Sequence, residues 1–184
     1  ERLFDLSGKV AVVTGAAQGM GRATALAVAT QGADVVCVDR NETGAAATAK
    51  SIQQMNRRAV VATTDVSSPD AIEALFELVD QEFSRIDFLG NIAGDGHLAR
   101  PEDLSLEDLH RVLQNLVVGR FVMCQQAGRR MLSQGRGSIM NIGSLASSTA
   151  LGRGHIAYSM AMGAVIQMTR ELSTEWSHRG VRVN

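Results

Sequence analysis

The sequence is poor in several chemically distinctive residues. Aromatic residues make up 4% of its 184 residues, with one tyrosine and one tryptophan, and it has two cysteines and two prolines. Cys37 and Cys124 lie in an apolar strand pattern and a helical pattern, which predicts buried free thiols rather than a disulfide. No spacing typical of metal ligands is present. We therefore expect no metal site, and a reducing, cytoplasmic compartment fits this cysteine usage.

Strong charge of one sign and long apolar runs are also absent. The formal net charge is −1 at pH 7, which gives no electrostatic footprint for nucleic acid or for an anionic membrane surface. No apolar run reaches about 18 residues, and residues 1–9 contain no apolar signal core. The sequence therefore predicts a soluble protein with no nucleic-acid partner and no membrane partner.

What the chain does contain is an alternation of short apolar runs with helix-length segments. With 45% hydrophobic residues, residues 1–184 are expected to bury one core as a single domain. Such alternation is typical of an α/β fold, a doubly wound parallel sheet with helices on both faces. The predicted strands are Val10–Thr14, Asp34–Asp39, Ala59–Thr64, Phe88–Ile92 and Ser138–Ile142.

Helices are predicted between these strands, and capping residues mark where two of them begin. Ser68 followed by Pro69, and Ser105 followed by acidic residues, are typical N-terminal signals. The predicted helices run from Met20 to Gln31, from Thr43 to Met55, from Ser68 onward, from Ser105 to about Leu132, and from His155 to His178.

The most informative segment is the glycine-rich turn that follows the first strand. Gly15, Gly19 and Gly21 stand between a valine-rich strand and the start of a helix. Glycines adopt backbone angles closed to other residues, and they let backbone N–H groups approach a phosphate at the positive end of a helix. A plain tight turn is the alternative. Because a second strand follows and ends in Asp39, the combination predicts a dinucleotide site.

The acidic residue Asp39 indicates which dinucleotide is bound. It lies roughly 20 residues after the turn, where a carboxylate accepts hydrogen bonds from both ribose hydroxyls and repels a 2′-phosphate. This position favours NAD over NADP. A turn-forming acid is the structural alternative for Asp39. The adjacent Arg40 can either pair with a 2′-phosphate or stack near the adenine.

The spacing Thr-Gly-x3-Gly-x-Gly in residues 14–21 resembles the fingerprint of the short-chain dehydrogenase/reductase family. The resemblance continues through Asp65-Val66, Asn91-Ile-Ala-Gly94, residues 137–144, Tyr158 and residues 180–184. It implies a Rossmann-like fold with NAD as cofactor. The predicted cofactor-binding residues are Thr14, Gly15, Gln18, Gly19, Met20, Gly21, Asp39, Arg40, Asp65, Val66, Asn91, Ala93, Gly94 and Tyr158.

The resemblance also implies the catalytic residues. Tyr158 is similar to the family's acid/base, and Ser144 is similar to its partner for the substrate hydroxyl. A core tyrosine and a turn serine are the structural alternatives. Met162 stands one helical turn after Tyr158, where the family has a lysine whose charge favours the ionised phenol and which binds the nicotinamide ribose. On the preceding loop, Arg153 or His155 can approach in its place.

Asn115 is the third candidate catalytic residue, and its register is irregular. The family places an asparagine one residue closer to the glycine of this helix than Asn115 lies to Gly119. One residue is about 100° of rotation on an α-helix. Either Asn115 points away from the site, or a π-bulge in the helix restores it.

The end of the chain and its long helices lead to two further expectations. Residues 180–184 are similar to the start of the family's sixth strand, and the substrate loop and C-terminal strand that follow in the family are missing. Because natural sheets avoid uncovered edges, the sequence is expected to be part of a longer chain. The resemblance also implies a homodimer or homotetramer built on the two long helices, which fits apolar residues such as Phe121.

Three functions remain open at this stage. The leading one is an oxidoreductase that transfers a hydride between NAD(H) and a small-molecule secondary alcohol, sugar alcohol or ketone. The second is an NAD-binding family member with little or no catalysis that acts as a sensor or scaffold, which the changes at Met162 and Asn115 favour. The third is an NADP-dependent carbonyl or 3-oxoacyl reductase, which Asp39 and the lack of a basic residue at 16–18 disfavour.

Overall fold

One sheet of six parallel strands organises the computed structural model, which describes residues 3–184. The strands are β1 Val10–Thr14, β2 Asp34–Asp39, β3 Ala59–Thr63, β4 Phe88–Asn91, β5 Gly137–Asn141 and β6 Val181–Val183. Their order across the sheet is β3-β2-β1-β4-β5-β6, so the chain begins at the centre and winds outward first on one side and then on the other. The predicted Rossmann-like, doubly wound architecture is therefore confirmed.

Helices cover both faces of this sheet. They are α1 Gly19–Thr30, α2 Glu42–Gln53, α3 Pro69–Phe83, α4 Leu106–Leu113, α5 Arg120–Gln134 and α6 Ile156–Trp176. On one face, α1 and α2 pack small residues and Ile52 against Val13 and Val35. On the other, α3 and α5 pack Phe76 and Met123 against the sheet. Burial on both sides explains why the central strands are nearly continuous apolar runs.

The predicted helix caps are confirmed. The Ser68 hydroxyl accepts a hydrogen bond from the backbone N–H of residue 71 at 3.3 Å, and Pro69 occupies the first helical position. The Ser105 hydroxyl accepts from the N–H of residue 108 at 3.0 Å. Helix α2 begins one residue earlier than predicted because Asn41 caps it, accepting from the N–H of Gly44 at 3.1 Å.

The long helix predicted from Ser105 to Leu132 is divided in the structure. A π-helical turn, Gln114–Gly119, separates α4 from α5. A π-helical turn contains one residue more than an α-helical turn. This extra residue explains why Asn115 lies one residue further from Gly119 than the family's asparagine lies from its glycine. A Cβ on Gly119 would overlap the carbonyl oxygen of Val66, so the helix crosses the segment after β3 with no room for a side chain.

Strand ends differ from the prediction by single residues. β4 ends at Asn91 because the N–H of Ile92 donates to the Thr14 hydroxyl at 2.9 Å. β5 begins and ends one residue earlier than predicted, and β3 ends at Thr63. β6 pairs with β5, as the resemblance of residues 180–184 to a sixth strand implies. Within residues 3–184, no helix has both the length and the apolar character needed to cross a membrane.

Candidate active site

The turn between β1 and α1 leaves its backbone open at the carboxyl edge of the sheet. Gly15 and Gly19 have φ angles of +71° and +53°, in the left-handed region that favours glycine. A Cβ on Gly21 would overlap the carbonyl oxygen of Gly15, so glycine is needed where the helix begins this close to the strand. At Gly19, apart from its chain neighbours and the adjoining backbone of α1, nothing in the described chain lies within 4 Å of a Cβ position. The turn therefore fits a dinucleotide phosphate.

This turn forms one end of a cleft of about 320 Å³ at the carboxyl ends of the central strands. The cleft lies where the winding of the chain reverses between β1 and β4, the place where open α/β sheets bind ligands. The predicted cofactor-binding residues line it, except for Thr14, Asn91 and Tyr158. The lining consists of Gly15, Gln18, Gly19, Met20, Gly21, Val38, Asp39, Arg40, Thr64, Asp65, Val66, Ile92, Ala93, Gly94, Asp95 and Asn115.

The Asp39 carboxylate lies in this cleft and is held by two backbone hydrogen bonds. Its Oδ2 accepts from the N–H of Ala17 at 2.9 Å, and its Oδ1 accepts from the N–H of Asn41 at 2.9 Å. A carboxylate oxygen accepts two hydrogen bonds, so both oxygens keep an acceptor site for ribose hydroxyls. The turn-forming and ligand-binding interpretations of Asp39 are therefore compatible.

Thr14 and Asn91 shape the cleft from beneath and do not line it. The buried Thr14 hydroxyl accepts from the N–H groups of Ile92 and Ala93 at 2.9 and 3.0 Å. It thereby fixes the chain that leaves β4 against β1. The Asn91 amide donates to Asn141 Oδ1 at 3.0 Å and to Cys124 Sγ at 3.2 Å, which ties β4 to β5 and α5.

Acidic and basic groups flank the open side of the cleft. Hydrogen bonds from the Ser67 hydroxyl and N–H lower the pKa of the Asp65 carboxyl, and the charge of Arg40 acts in the same direction. Arg40 also forms an exposed ion pair with Asp95, with 3.8 Å between Nη2 and Oδ2. Arg40 therefore interacts with two carboxylates of the protein itself.

The π-helical turn brings Asn115 into the cleft wall. Its Oδ1 accepts a hydrogen bond from the N–H of Asp95 at 2.9 Å, in the segment that follows β4. Of the two alternatives for this residue, the structure therefore has the π-bulge. An asparagine on an uninterrupted α-helix at this register would be rotated away from the cleft.

Tyr158 and Ser144 lie outside the cleft lining, on neighbouring elements. Tyr158 is half-buried in the first turn of α6, and a Cβ on Gly96 would lie 3.3 Å from its ring. Ser144 begins a short 3-10 helix, Leu145–Ser147, that packs against α6. The Ser144 hydroxyl oxygen accepts from the N–H of Ala146 at 3.2 Å, which leaves its O–H free to donate.

The side chain at position 162 is packed in an apolar cluster. Met162 is 1% exposed, and the cluster includes Val112, Leu116 and Ala161, with Tyr158 packed against it. No charged group stands on α6 one turn after Tyr158. On the loop before α6, Arg153 is exposed with φ of +60°, and the His155 ring contacts the carbonyl oxygen of Gly152 at 2.7 Å.

Sequence reasoning missed five residues of this region. Val38, Thr64, Ile92 and Asp95 line the cleft because each lies at the carboxyl end of a strand or in the segment that follows it. Parallel topology would have indicated them, since all carboxyl ends meet at one edge of the sheet. The fifth is Arg120, which is 4% exposed and lies behind the cleft wall. In the sequence it is one charged residue in a helical pattern, with no sign that it is buried.

Comparison with known proteins identifies the family to which the chain belongs. The sequence profile described as short chain dehydrogenase matches residues 9–184. The D-threitol dehydrogenase of Mycolicibacterium smegmatis is 43% identical over 181 residues, covering 98% of this chain and 69% of that protein. The NAD-dependent glycerol dehydrogenase of Listeria innocua is 36% identical over 182 residues, covering 98% of this chain and 70% of that protein.

Solved structures support the same relationship. The structure of an NAD⁺-bound xylitol dehydrogenase is 32% identical, with a TM-score of 0.92, covering 97% of this chain and 69% of that chain. The family match extends over nearly the whole sequence, and the relatives are similar in both sequence and fold. The chain therefore belongs to the short-chain dehydrogenase family of oxidoreductases, whose members use NAD or NADP.

Proposed function

We propose that the protein is an NAD-dependent dehydrogenase that oxidises a secondary alcohol of a small sugar alcohol, or reduces the corresponding ketone. The observation that carries the proposal is the Asp39 carboxylate in the cleft that also holds the glycine turn. Such a carboxylate accepts hydrogen bonds from the two hydroxyls of the adenosine ribose and repels a 2′-phosphate. It therefore supports NAD over the NADP-dependent reductase alternative.

The residues of the cleft suit the binding half of this reaction. The glycine turn offers backbone N–H groups to the pyrophosphate, and Ala93 and Gly94 let the cofactor pass close to the sheet. Asp65 and Val66 border the adenosine end beside Asp39. When bound, NAD accepts the hydride from the carbinol carbon or, as NADH, returns it to the ketone.

We assign proton transfer to Tyr158 and stabilisation of the substrate oxygen to Ser144. As the carbinol carbon loses its hydride, the Tyr158 oxygen takes the hydroxyl proton, and in the reverse direction it gives the proton back. The free O–H of Ser144 donates a hydrogen bond to the substrate oxygen while negative charge develops on it. Asn115 holds the segment after β4 through Asp95 and so fixes the wall against which the cofactor lies.

The relatives support the substrate class. Those described above act, by their names, on D-threitol, glycerol and xylitol, which are all short polyols. This chain is 43% identical to the first of them over 98% of its own residues, so we expect it to accept a substrate of similar size and polarity. We therefore propose a polyol, or the ketose that its oxidation yields, as the substrate.

A second candidate function rests on Met162. We infer that it occupies the place of the family's active-site lysine, and it offers Tyr158 an apolar contact in place of a charge. A protein that binds NAD without turnover, as a sensor or scaffold, would need no such charge. Turnover on a panel of alcohols and ketones separates this candidate from the dehydrogenase.

Cofactor preference tests the role of Asp39. In the wild-type protein we expect NAD to bind at least about tenfold more tightly than NADP, which corresponds to about 1.4 kcal/mol. Asp39→Asn keeps an acceptor for the turn but removes the charge, so the preference is expected to fall to about threefold or less. Titration calorimetry with both cofactors measures this, with the exposed Glu42→Gln, outside the cleft lining, as the control. Equal affinities in the wild type would contradict the NAD assignment.

We also propose that the protein self-associates as a homodimer or homotetramer through the long helices. Val118 and Phe121, one helical turn apart, are 41% and 43% exposed. Contiguous exposed apolar surface marks protein–protein contacts, and this pair supports a contact on the long helix. Phe121→Asp is expected to shift sedimentation at micromolar concentration toward monomer, whereas Ser133→Asp on the same helix is expected to leave it unchanged. A monomeric wild type would refute the proposal.

A further inference from the structure

Arg120 is a charged residue whose side chain the fold buries between two strand ends. It is the first residue of α5, directly after the π-helical turn, and it is 4% exposed. Its Nη1 donates to the carbonyl oxygen of Ile142 at 2.6 Å, and its Nη2 donates to that of Ala93 at 3.3 Å. Ile142 is the first residue after β5, and Ala93 is the second residue after β4. One guanidinium therefore joins the segments that leave two neighbouring strands.

This side chain bridges the two segments at the place where the sheet ends. The paired register of β4 and β5 ends at Asn91 and Asn141. One residue further, the N–H of Ile142 still donates to the carbonyl oxygen of Asn91 at 3.1 Å. In the described chain, no backbone hydrogen bond joins residues 92–96 to residues 143–147. The separation of the two segments therefore depends on Arg120.

The first of the bridged segments is a wall of the cofactor cleft. Ala93 lines the cleft, and its N–H donates to Thr14 Oγ1 at 3.0 Å while its carbonyl accepts from Arg120. A Cβ on Gly15 would lie 3.3 Å from the Ala93 Cα, so the glycine turn packs directly on this residue. A Cβ on Gly94 would lie 3.2 Å from the Arg120 Nη2. The guanidinium therefore supports the cleft wall from inside the protein.

The second bridged segment leads to Ser144, which lies two residues after Ile142. The Ser144 hydroxyl oxygen accepts from the N–H of Ala146 at 3.2 Å, and its carbonyl oxygen accepts from the N–H of Ser147 at 3.0 Å. These bonds fix the serine to the short helix that follows it. The bond from Arg120 to the Ile142 carbonyl holds the same segment at its other end. The position of the serine relative to the sheet therefore depends on both ends.

The two carbonyl groups are the contacts that account for a buried guanidinium here. Among residues 3–184, no carboxylate forms an ion pair with Arg120, and its buried Nε has no hydrogen-bond partner. Burial of an unpaired charge is costly, and an apolar side chain would fill the same space without that cost. A guanidinium presents its donors in a fixed plane, so it holds two acceptors at a defined separation, whereas an ammonium is a point charge on a flexible stem.

We propose that Arg120 is a positioning residue for hydride transfer, which fixes the distance between the cleft wall at Ala93 and the substrate-binding Ser144. The inference rests on the proposed dehydrogenase function. In that reaction the carbinol C–H bond breaks, its hydride passes to NAD, and the hydroxyl proton passes to Tyr158. A misplacement of about 1 Å costs about a hundredfold in rate. Arg120 lies outside the cleft lining and acts through the two segments that it joins.

Arg120→Lys tests this inference because it keeps the charge and loses the planar pair of donors. We expect the rate of NADH formation in a single turnover, at saturating NAD and threitol or xylitol, to fall about tenfold to a hundredfold. The Kd of NAD is expected to stay within about threefold of the wild type. A loss of stability alone would leave the rate per bound cofactor unchanged. Arg129→Lys, the same change at an exposed position of α5, is expected to match the wild type.

Backbone hydrogen exchange gives a second readout that needs no turnover. In Arg120→Lys, peptides that cover residues 93–99 and 142–149 are expected to exchange at least about tenfold faster, while those of α1 and β2 exchange as in the wild type. Unchanged exchange in the two segments, or an unchanged single-turnover rate, overturns the inference. If the wild type has no turnover, faster exchange in both segments upholds their placement by Arg120 and rejects the dehydrogenase function.

Should Arg120→Lys fail to fold, the wild type provides the test through the Arg120 Nε–H signal in NMR. Because its guanidinium holds the carbonyl of Ala93, saturation with NAD is expected to shift this signal and to leave that of the exposed Arg129 in place. An Arg120 signal that does not respond to bound NAD overturns the inference.

Discussion

Tyr158→Phe is expected to slow hydride transfer to NAD about a thousandfold while cofactor affinity stays within about twofold of the wild type. The substitution removes one oxygen atom and keeps the ring that packs against the cluster of Leu116 and Met162. Positioned proton transfer contributes about a hundredfold to ten-thousandfold to a rate, so a loss of about a thousandfold is expected. The measurement is initial-rate formation of NADH with a short polyol such as threitol or xylitol.

Two comparisons make this result interpretable. Ser159→Ala, the next residue on the same helix, is expected to retain wild-type turnover. A Tyr158→Phe protein that still turns over would show that another group carries the proton. If the wild type is equally inert with every alcohol and ketone while NAD binds, the dehydrogenase proposal fails and the NAD-binding sensor or scaffold takes its place.

Gly119→Ala is expected to lower the free energy of unfolding by about 3 kcal/mol. The added Cβ would overlap the carbonyl oxygen of Val66, a backbone atom that cannot rotate away as a side chain does. Either the π-helical turn or the segment after β3 must move. Because Val66 lines the cleft, NAD affinity is expected to fall together with stability.

Helix α6 offers a matched control for this prediction. At Gly163, apart from the neighbouring backbone of its own helix, nothing in the described chain lies within 4 Å of a Cβ position, and the residue is inside a regular helix. Gly163→Ala is expected to raise stability by up to about 1 kcal/mol, because alanine is the better helix former. Urea denaturation of both variants gives the comparison. A Gly119→Ala protein as stable as the wild type would mean that the backbone at Val66 moves aside with little loss of stability.

The sheet and the glycine turn could be predicted from sequence because their signals are local. A valine-rich run needs burial on both sides, and the turn into α1 needs glycines for steric reasons, so these features follow from neighbouring residues alone. The observed strand ends differ from the predicted ones by single residues because contacts between distant residues fix them. The Thr14 hydroxyl accepts a hydrogen bond from the N–H of Ile92, which is far away in the sequence.

The cleft wall and the residue behind it could be predicted only in part. Asn115 remained ambiguous because helical periodicity in a sequence does not show where a π-helical turn occurs. Arg120 could not be found because its burial depends on two carbonyl groups from different strands. Electrostatic relations between residues distant in sequence appear only when the strands are assembled.

The two buried thiols make local opening of the folded chain measurable. Burial raises the pKa of both Cys37 and Cys124 to about 12, and Cys124 is further enclosed by the amides of Asn91 and Asn141. An alkylating reagent needs an accessible thiolate. Alkylation of these thiols is therefore expected to require local opening of the fold, and its rate at each cysteine is expected to report the opening of that cysteine's own strand or helix.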